Sequence, residues 1–371
     1  MSRPGESEES ECQESSESQE SLSDSSTETL PHPVFYKNEI ICNKYRVLNE
    51  LGKGGCGVVL SVVDIDTEGS SRPIYAAMKA ETIDPKGRAS QTIKVEAHVL
   101  RRLQNCDNFC RLFLCCRLDT SINIMVMSLV GKSLSWLRRH TEQQRFSIST
   151  SVRISLKCLE VIKELHRRGF LHRDIKASNF AIGAFPHDFR KIYLLDFGFA
   201  RSYLMTENNQ LKIRPPRKRA PYLGTDRYCS VNVHLRGEHG RVDDLWSFLF
   251  MLVEFILGKL PWKNIENKKL AKAKTHYIET FLKNCPMELW KFMRHLQKLK
   301  YDSRPDYNLL QNCLEEICHR KTFKTNDPFD WEDGGSQVNI INKAIEEDKN
   351  KSLDEMPSHL TTSESEIEVD S

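Results

Sequence analysis

The sequence predicts an α+β protein of two unequal lobes, a small β-rich one followed by a larger, mainly helical one. Two observations carry this. Between about residues 45 and 130 the apolar residues come in short runs, YRVLNEL, GVVLSVVDI, IYAAMKAE, RLFLCCRL and INIMVMS, rich in Val, Ile, Leu and aromatics. Polar or Gly-containing stretches separate them, which is how strands read. After 131 the apolar spacing becomes helical: SVRISLKCLEVIKELHRRG sets Val152, Leu156, Leu159, Ile162 and Leu165 along one face and stops at Gly169, a residue suited to ending a helix.

Taken in order, residues 1–32 form an acidic tail with almost no branched or aromatic side chains. Such a segment buries too little apolar surface to offset chain entropy and is expected to be disordered. Several of its Ser residues precede Asp or Glu and suit acidophilic phosphorylation. The folded body is expected over 45–320, divided into lobes at 130/131. In the small lobe a single helix, QTIKVEAHVLRRL, interrupts the strands, with Val95, Val99 and Leu103 on its apolar stripe. In the large lobe DDLWSFLFMLVEFILG is apolar nearly all round and belongs in the centre of the core. Residues 333–371 read as a second acidic, disordered tail.

Charge follows the same division. The chain has a formal charge of +3, but residues 1–32 carry nine acidic groups against one Arg, and residues 343–371 nine against three Lys. The body between them is therefore strongly basic, which favours an anionic partner. The N-terminus is polar and acidic, so no signal-peptide apolar region is expected, and the longest apolar run, 246–258, is too short to span a bilayer and contains Glu254. Twelve Cys without a zinc-type spacing point to reduced thiols in a cytoplasmic or nuclear protein. No membrane association, and a monomer, are expected.

Three stretches carry chemistry. Residues 51–59, LGKGGCGVV, match G-x-G-x-x-G-x-V at Gly52, Gly54, Gly57 and Val59. Glycines let backbone N–H groups approach phosphates. The stretch lies between two strands, whereas a dinucleotide fingerprint joins a strand to a helix, so a dehydrogenase is disfavoured. AAMK places Lys79 in the next strand, and between Pro85 and Cys106 the sole acidic residue available to hold it is Glu96. LHRDIKASNFAI then gathers Asp174, Lys176 and Asn179, and LLDFG adds Asp196.

In that order and spacing these elements resemble the protein-kinase signature. The chemistry explains the crowding: phosphoryl transfer is mainly positioning and charge neutralisation. Asp174 would accept the substrate hydroxyl proton, Lys176 would neutralise the γ-phosphate, and Asn179 and Asp196 would hold Mg²⁺, which needs few protein oxygens. Lys176 in HRDxKxxN is the serine/threonine form. The fold implied is the two-lobed protein-kinase fold, the cofactors ATP and Mg²⁺.

The usual APE is missing; its place reads Ser230–Asn232. GTDRYCSVNVH followed by DDLWS is similar to the casein kinase 1 superfamily, and FLHRDIKASNFAIG, RPPRKRA and DDLWSFLFMLVEFILGKLPW look most like its tau-tubulin kinase branch. That resemblance covers roughly 45–320 and implies further roles. Leu51, Gly52, Lys53, Gly54, Gly55, Cys56, Gly57 and Val58 would cover the nucleotide, with Val59 and Ala77 above the adenine and Ala181 below it. Met127 would be the gatekeeper, Ser128 and Val130 would offer hinge backbone groups, and Thr225 would bond Asp174 and Lys176. Asp244 would tie the catalytic loop to the core helix. Arg304 would lack its usual glutamate. The same resemblance implies protein substrates with acidic or phosphorylated segments, tau or tubulin among them. The residues give this physical support: Arg217, Lys218, Arg219 and Arg227 lie near the catalytic segment, and guanidinium clusters suit phosphate and carboxylate. Arg227, with Lys268 or Lys269, is the expected anion reader.

Two other classes compete. A pseudokinase scaffold usually lacks one of the groups present here as Lys79, Asp174 and Asp196. A nucleic-acid-binding module would need groove or stacking elements that the sequence does not show.

Overall fold

The structure, a computed structural model, describes residues 31–54, 57–83, 92–185 and 187–354. Strands β1 (Ile40–Ile41), β2 (Tyr45–Gly54), β3 (Gly57–Asp64), β4 (Tyr75–Thr82), β5 (Leu112–Arg117) and β6 (Ile122–Ser128) form one antiparallel sheet in the order β1-β2-β3-β4-β6-β5. Side chains alternate across it. Val58, Leu60, Val62, Met78, Ile124 and Val126 fill an inner core enclosed by the sheet's curl, while Ala77, Met125 and Met127 face helix α1 (Thr92–Leu103). Each such Val, Leu or Met contributes roughly 1.5–3 kcal/mol by leaving water.

Helix α1 presents Ile93, Glu96, Ala97, Leu100 and Leu103 inward. Val95, expected on the buried stripe, is on the opposite side and exposed; the buried arc is centred on Ile93 and Ala97, about half a turn away. The helix start is fixed by Glu81 of β4, whose buried carboxylate accepts from Thr92 Oγ1 at 2.8 Å and from the Ile93 N–H at 3.2 Å. A carboxylate suits those orphan N–H groups.

Strand β7 (Val130–Ser133) leads into the helical lobe: α2 (Leu134–Arg139), α3 (Ile148–Arg167), α4 (Val231–His234), α5 (Arg241–Leu257), α6 (Asn267–Leu282), α7 (Glu288–Lys298) and α8 (Tyr307–Arg320). Between α3 and α4 run β8 (Phe170–Leu171), β9 (Phe180–Gly183), β10 (Ile192–Leu194), β11 (Arg201–Ser202), β12 (Leu204–Glu207) and β13 (Gln210–Ile213). Helix α5 is the apolar run of the sequence and is buried on nearly every face; Gly258, at φ 78°, ends it in the left-handed conformation. Among the described residues no helix is long and apolar enough to cross a membrane.

The C-terminal region corrects the sequence reading. Residues 333–371 were expected to be a disordered tail from 333 onward, yet α9 (Val338–Asp354) is helical and Ile341 is fully buried. The segment before it is anchored by Arg153 of α3, which donates to the carbonyls of Asp327 (2.6 Å) and Pro328 (2.8 Å) and stacks over Phe329. Lys132 of β7 pairs with Asp348 at 2.6 Å. The acidic composition hid two apolar positions, Ile341 and Ile345, that pack on the large lobe. Residues 1–30 and 355–371, the remainder of the two expected tails, lie outside the described residues.

Candidate active site

The glycine-rich stretch is the hairpin of β2 and β3. Gly57 has φ 110°, and a Cβ there would stand 2.0 Å from the Ala80 carbonyl oxygen, so that only glycine fits. At Gly52 and Gly54 a Cβ would meet nothing within 4 Å, leaving the backbone open to a ligand. Leu51 is exposed, and Lys53 pairs with Glu50 at 3.0 Å. Gly55 and Cys56 lie outside the described residues. Val59 packs on the same core as Ala77 and Met127, and the register sets Val59 opposite Lys79 and Ala77 opposite Met127. Val58 corrects the sequence reading: its side chain points the other way, into the inner core of the sheet, leaving only its backbone toward the hairpin face. Ser128 and Val130 flank the crossing between lobes. Ala181 is buried on the face of β9 opposite Phe180 and Ile182.

Lys79 Nζ donates to Glu96 Oε2 at 2.7 Å and to Asp196 Oδ1 at 3.4 Å. Lys79 and Glu96 are both buried, so this pair acts where the surrounding dielectric is low. Asp196 has φ 63°, and its neighbour Phe197 is buried against Phe109 and His172. Burial alone would raise the Asp196 carboxyl, but Lys79, His172 and Lys176 outweigh it and hold the group below its ordinary value. It stays ionised.

Across the cleft, Asp174 accepts from Thr225 Oγ1 at 2.7 Å and pairs through its other oxygen with Lys176 Nζ at 2.6 Å. Lys176 also reaches Thr225 Oγ1 at 3.3 Å. Asn179 donates its amide nitrogen to the Asp174 carbonyl at 2.9 Å, which fixes the side chain and leaves its oxygen as the donor to a cation. Asp196 and Asn179 thus supply the hard oxygens that Mg²⁺ takes, with Lys79 and the open glycines beside them for phosphate: the donor set fits Mg·ATP.

The catalytic loop is held from below. Asp244, in the first turn of α5, accepts from the backbone N–H groups of His172 (2.8 Å) and Arg173 (2.9 Å), and lies 2.9 Å from His166 Nε2. Burial opposes its charge, but His166, His172 and His239 hold the carboxyl down to about 2. A depressed carboxyl stabilises the fold above its ordinary value of 3.8, and that contribution is lost as pH falls through about 2. Asp244→Asn is therefore expected to lower unfolding stability by roughly 3 kcal/mol at pH 7. In urea titrations repeated at lower pH, the gap to wild type should narrow between pH 3.8 and about 2.

Among the described residues, the basic residues expected to read an anion are not equivalent. Arg217 is committed to the buried carboxylate of Glu238 through two guanidinium bonds. Lys218 and Arg219 are exposed, Lys269 pairs with Glu266, and Arg304 is exposed without an ion pair. Arg227 lines a cleft of about 490 Å³ together with Lys176, Ser178, Thr225 and Lys263; neither Lys268 nor Lys269 reaches it. Its guanidinium lies 3.1 Å from Glu254, a partner the sequence reading missed. Glu254 also takes the Tyr228 hydroxyl and lies 3.6 Å from Arg138. The signal was available: one acid inside a long apolar run must be paired.

The profile of the protein kinase domain matches residues 45–325. The chain belongs to the protein kinase family. Its relatives include a protein of Dictyostelium discoideum named as a probable serine/threonine-protein kinase, 35% identical over 300 residues, covering 80% of this chain and 58% of that protein. The serine/threonine-protein kinase spe-6 of Caenorhabditis elegans is 31% identical over 299 residues, 78% of this chain and 76% of its own. The chain thus spans less than two thirds of the first relative and most of the second. In kinase terms, the Lys79–Glu96 pair is closed and the Asp196–Phe197–Gly198 segment is turned inward.

Proposed function

We propose that this kinase transfers the γ-phosphoryl group of Mg·ATP to Ser or Thr of protein substrates, as a member of the casein kinase 1 superfamily close to its tau-tubulin branch. The observation that carries this is the joint geometry of Lys79–Glu96–Asp196 and Asp174–Lys176–Thr225 across one cleft.

Mg·ATP supplies the electrophilic phosphoryl group and the metal's positive charge. Lys79, held by Glu96, would orient the phosphates, and Asn179 and Asp196 would hold the metal. Asp174 takes the proton of the substrate hydroxyl, and the bond from Thr225 fixes which carboxylate oxygen faces it. Lys176 stands beside that carboxylate and offsets charge on the moving phosphoryl group. Little covalent chemistry is left to the protein, which fits a site made of positioned charges.

Substrates are acidic or already phosphorylated segments, with tau and tubulin the first to try, and the site of action is cytoplasmic or nuclear. Arg227 is the specificity residue. Two guanidinium groups, Arg138 and Arg227, share the single carboxylate of Glu254, so the cluster keeps a net positive charge at the cleft where Lys176 and Lys263 also stand. Charge-assisted bonds of this kind contribute roughly 1.5–3 kcal/mol. Arg227→Gln should cut the ratio of kcat/KM for a phosphorylated over an unphosphorylated peptide by about tenfold or more. An unchanged ratio would remove Arg227 from that role.

A further inference from the structure

The two outer strands of the small lobe's sheet, β1 and β5, are brought near each other at one point. Cys42 follows β1 directly and Cys116 sits near the end of β5, and their sulfurs are 3.8 Å apart. Among the described residues this is the one thiol–thiol contact. Ile41 and Cys116 lie on the same enclosed core, so the approach is a consequence of packing, not of side chains meeting by chance in solvent. Cys42 is exposed, in a turn where it and Asn43 have φ of 53° and 52°. Cys115, one residue earlier, packs on the opposite face.

We propose that Cys42 and Cys116 form a peroxide-driven disulfide that joins the two edges of the sheet and closes it into a ring. A disulfide needs its sulfurs about 2 Å apart, so each must move by about an ångström, within reach of an exposed turn. The Cys42 sulfur attacks one oxygen of hydrogen peroxide, breaks the O–O bond and becomes a sulfenic acid, releasing water. The Cys116 sulfur then attacks the Cys42 sulfur and displaces hydroxide, which leaves as water with the Cys116 proton. Two thiols lose two electrons and one peroxide becomes two waters. Burial, together with the contact to Cys42, pushes the Cys116 thiol up to about 11, which leaves the exposed Cys42 to meet the oxidant and Cys116 to resolve it.

The bond would connect the turn that feeds β2, and through it the glycine hairpin, to β5, whose neighbour β6 carries Met127 and Ser128. In a reducing compartment such a bond is transient, which is the behaviour of a redox sensor.

The full chain, reduced and then treated with a slight excess of hydrogen peroxide, should yield a Cys42–Cys116 peptide in non-reducing mass mapping. Its melting temperature should rise by about 5 °C, reversibly with dithiothreitol. Cys115→Ser should retain both effects, and Cys42→Ser, on the exposed turn, should lose both. Recovery of Cys42 as sulfinic acid with Cys116 still free, or pairing through Cys115 or between molecules, would overturn the assignment.

Discussion

Asp174→Asn is expected to lower phosphoryl transfer by about a thousandfold while leaving the fold and nucleotide binding in place. A positioned general base contributes roughly 10²–10⁴-fold, and Asp174 is fixed by both a hydroxyl and an ammonium group. The amide keeps the side chain's shape and can still accept from Thr225, but it cannot take a proton and no longer balances Lys176. The loss should therefore fall on kcat, with the KM for ATP changed by little. Steady-state kinetics with a Ser-containing peptide, beside a melting curve, separates this from misfolding. A kcat within threefold of wild type would mean that Asp174 is not the base.

Lys79→Met should cost a comparable amount, for a different reason. Lys79 joins Glu96 of α1 to Asp196, so its loss removes the link between two lobes and, on the proposed function, a phosphate contact. Deleting a preorganised charge of this type costs about 10²–10³-fold in kcat. It also leaves Glu96 buried without its cation, and breaking a buried pair costs roughly 3–5 kcal/mol. Glu96→Gln/Lys79→Met should recover part of that stability without recovering activity. Recovery of both together would show that Lys79 serves the fold alone.

The contrast between these residues and the ones the sequence hid is physical. Lys79 and Glu96 sit on a strand and a helix whose type was readable from the residue pattern, whereas Asp174, Asn179 and Asp196 lie on loops and a short turn and were legible through their resemblance to the kinase signature. The β-rich lobe was legible because β3 and β4 are short apolar runs set apart by polar or glycine-containing stretches. Which face each side chain takes was not legible from such runs: Val59 packs on the large core and Val58 in the inner core of the sheet, a distinction lost when a whole stretch is assigned to one role. What stayed hidden depends on pairings between distant segments. Arg217 reads as a free cation until Glu238 closes on it, and Arg227 until Glu254 does. Glu81 as the anchor for α1 could not be seen, because its partners Thr92 and Ile93 lie 11 and 12 residues further along the chain, beyond the reach of any local pattern. Helix α9 failed for a compositional reason: polar and charged residues of both signs dominate its stretch, while Ile341 and Ile345, which bind it to the large lobe, are too sparse to register as a face.

Kinase activity is tested most directly by transfer of radiolabelled phosphate from Mg·ATP by the full chain, with casein, tau and tubulin as acceptors and Asp174→Asn alongside. Label is expected on Ser or Thr of at least one acceptor, lost in the variant. Equal silence of wild type and variant on every acceptor, with ATP still bound by both, would contradict that activity.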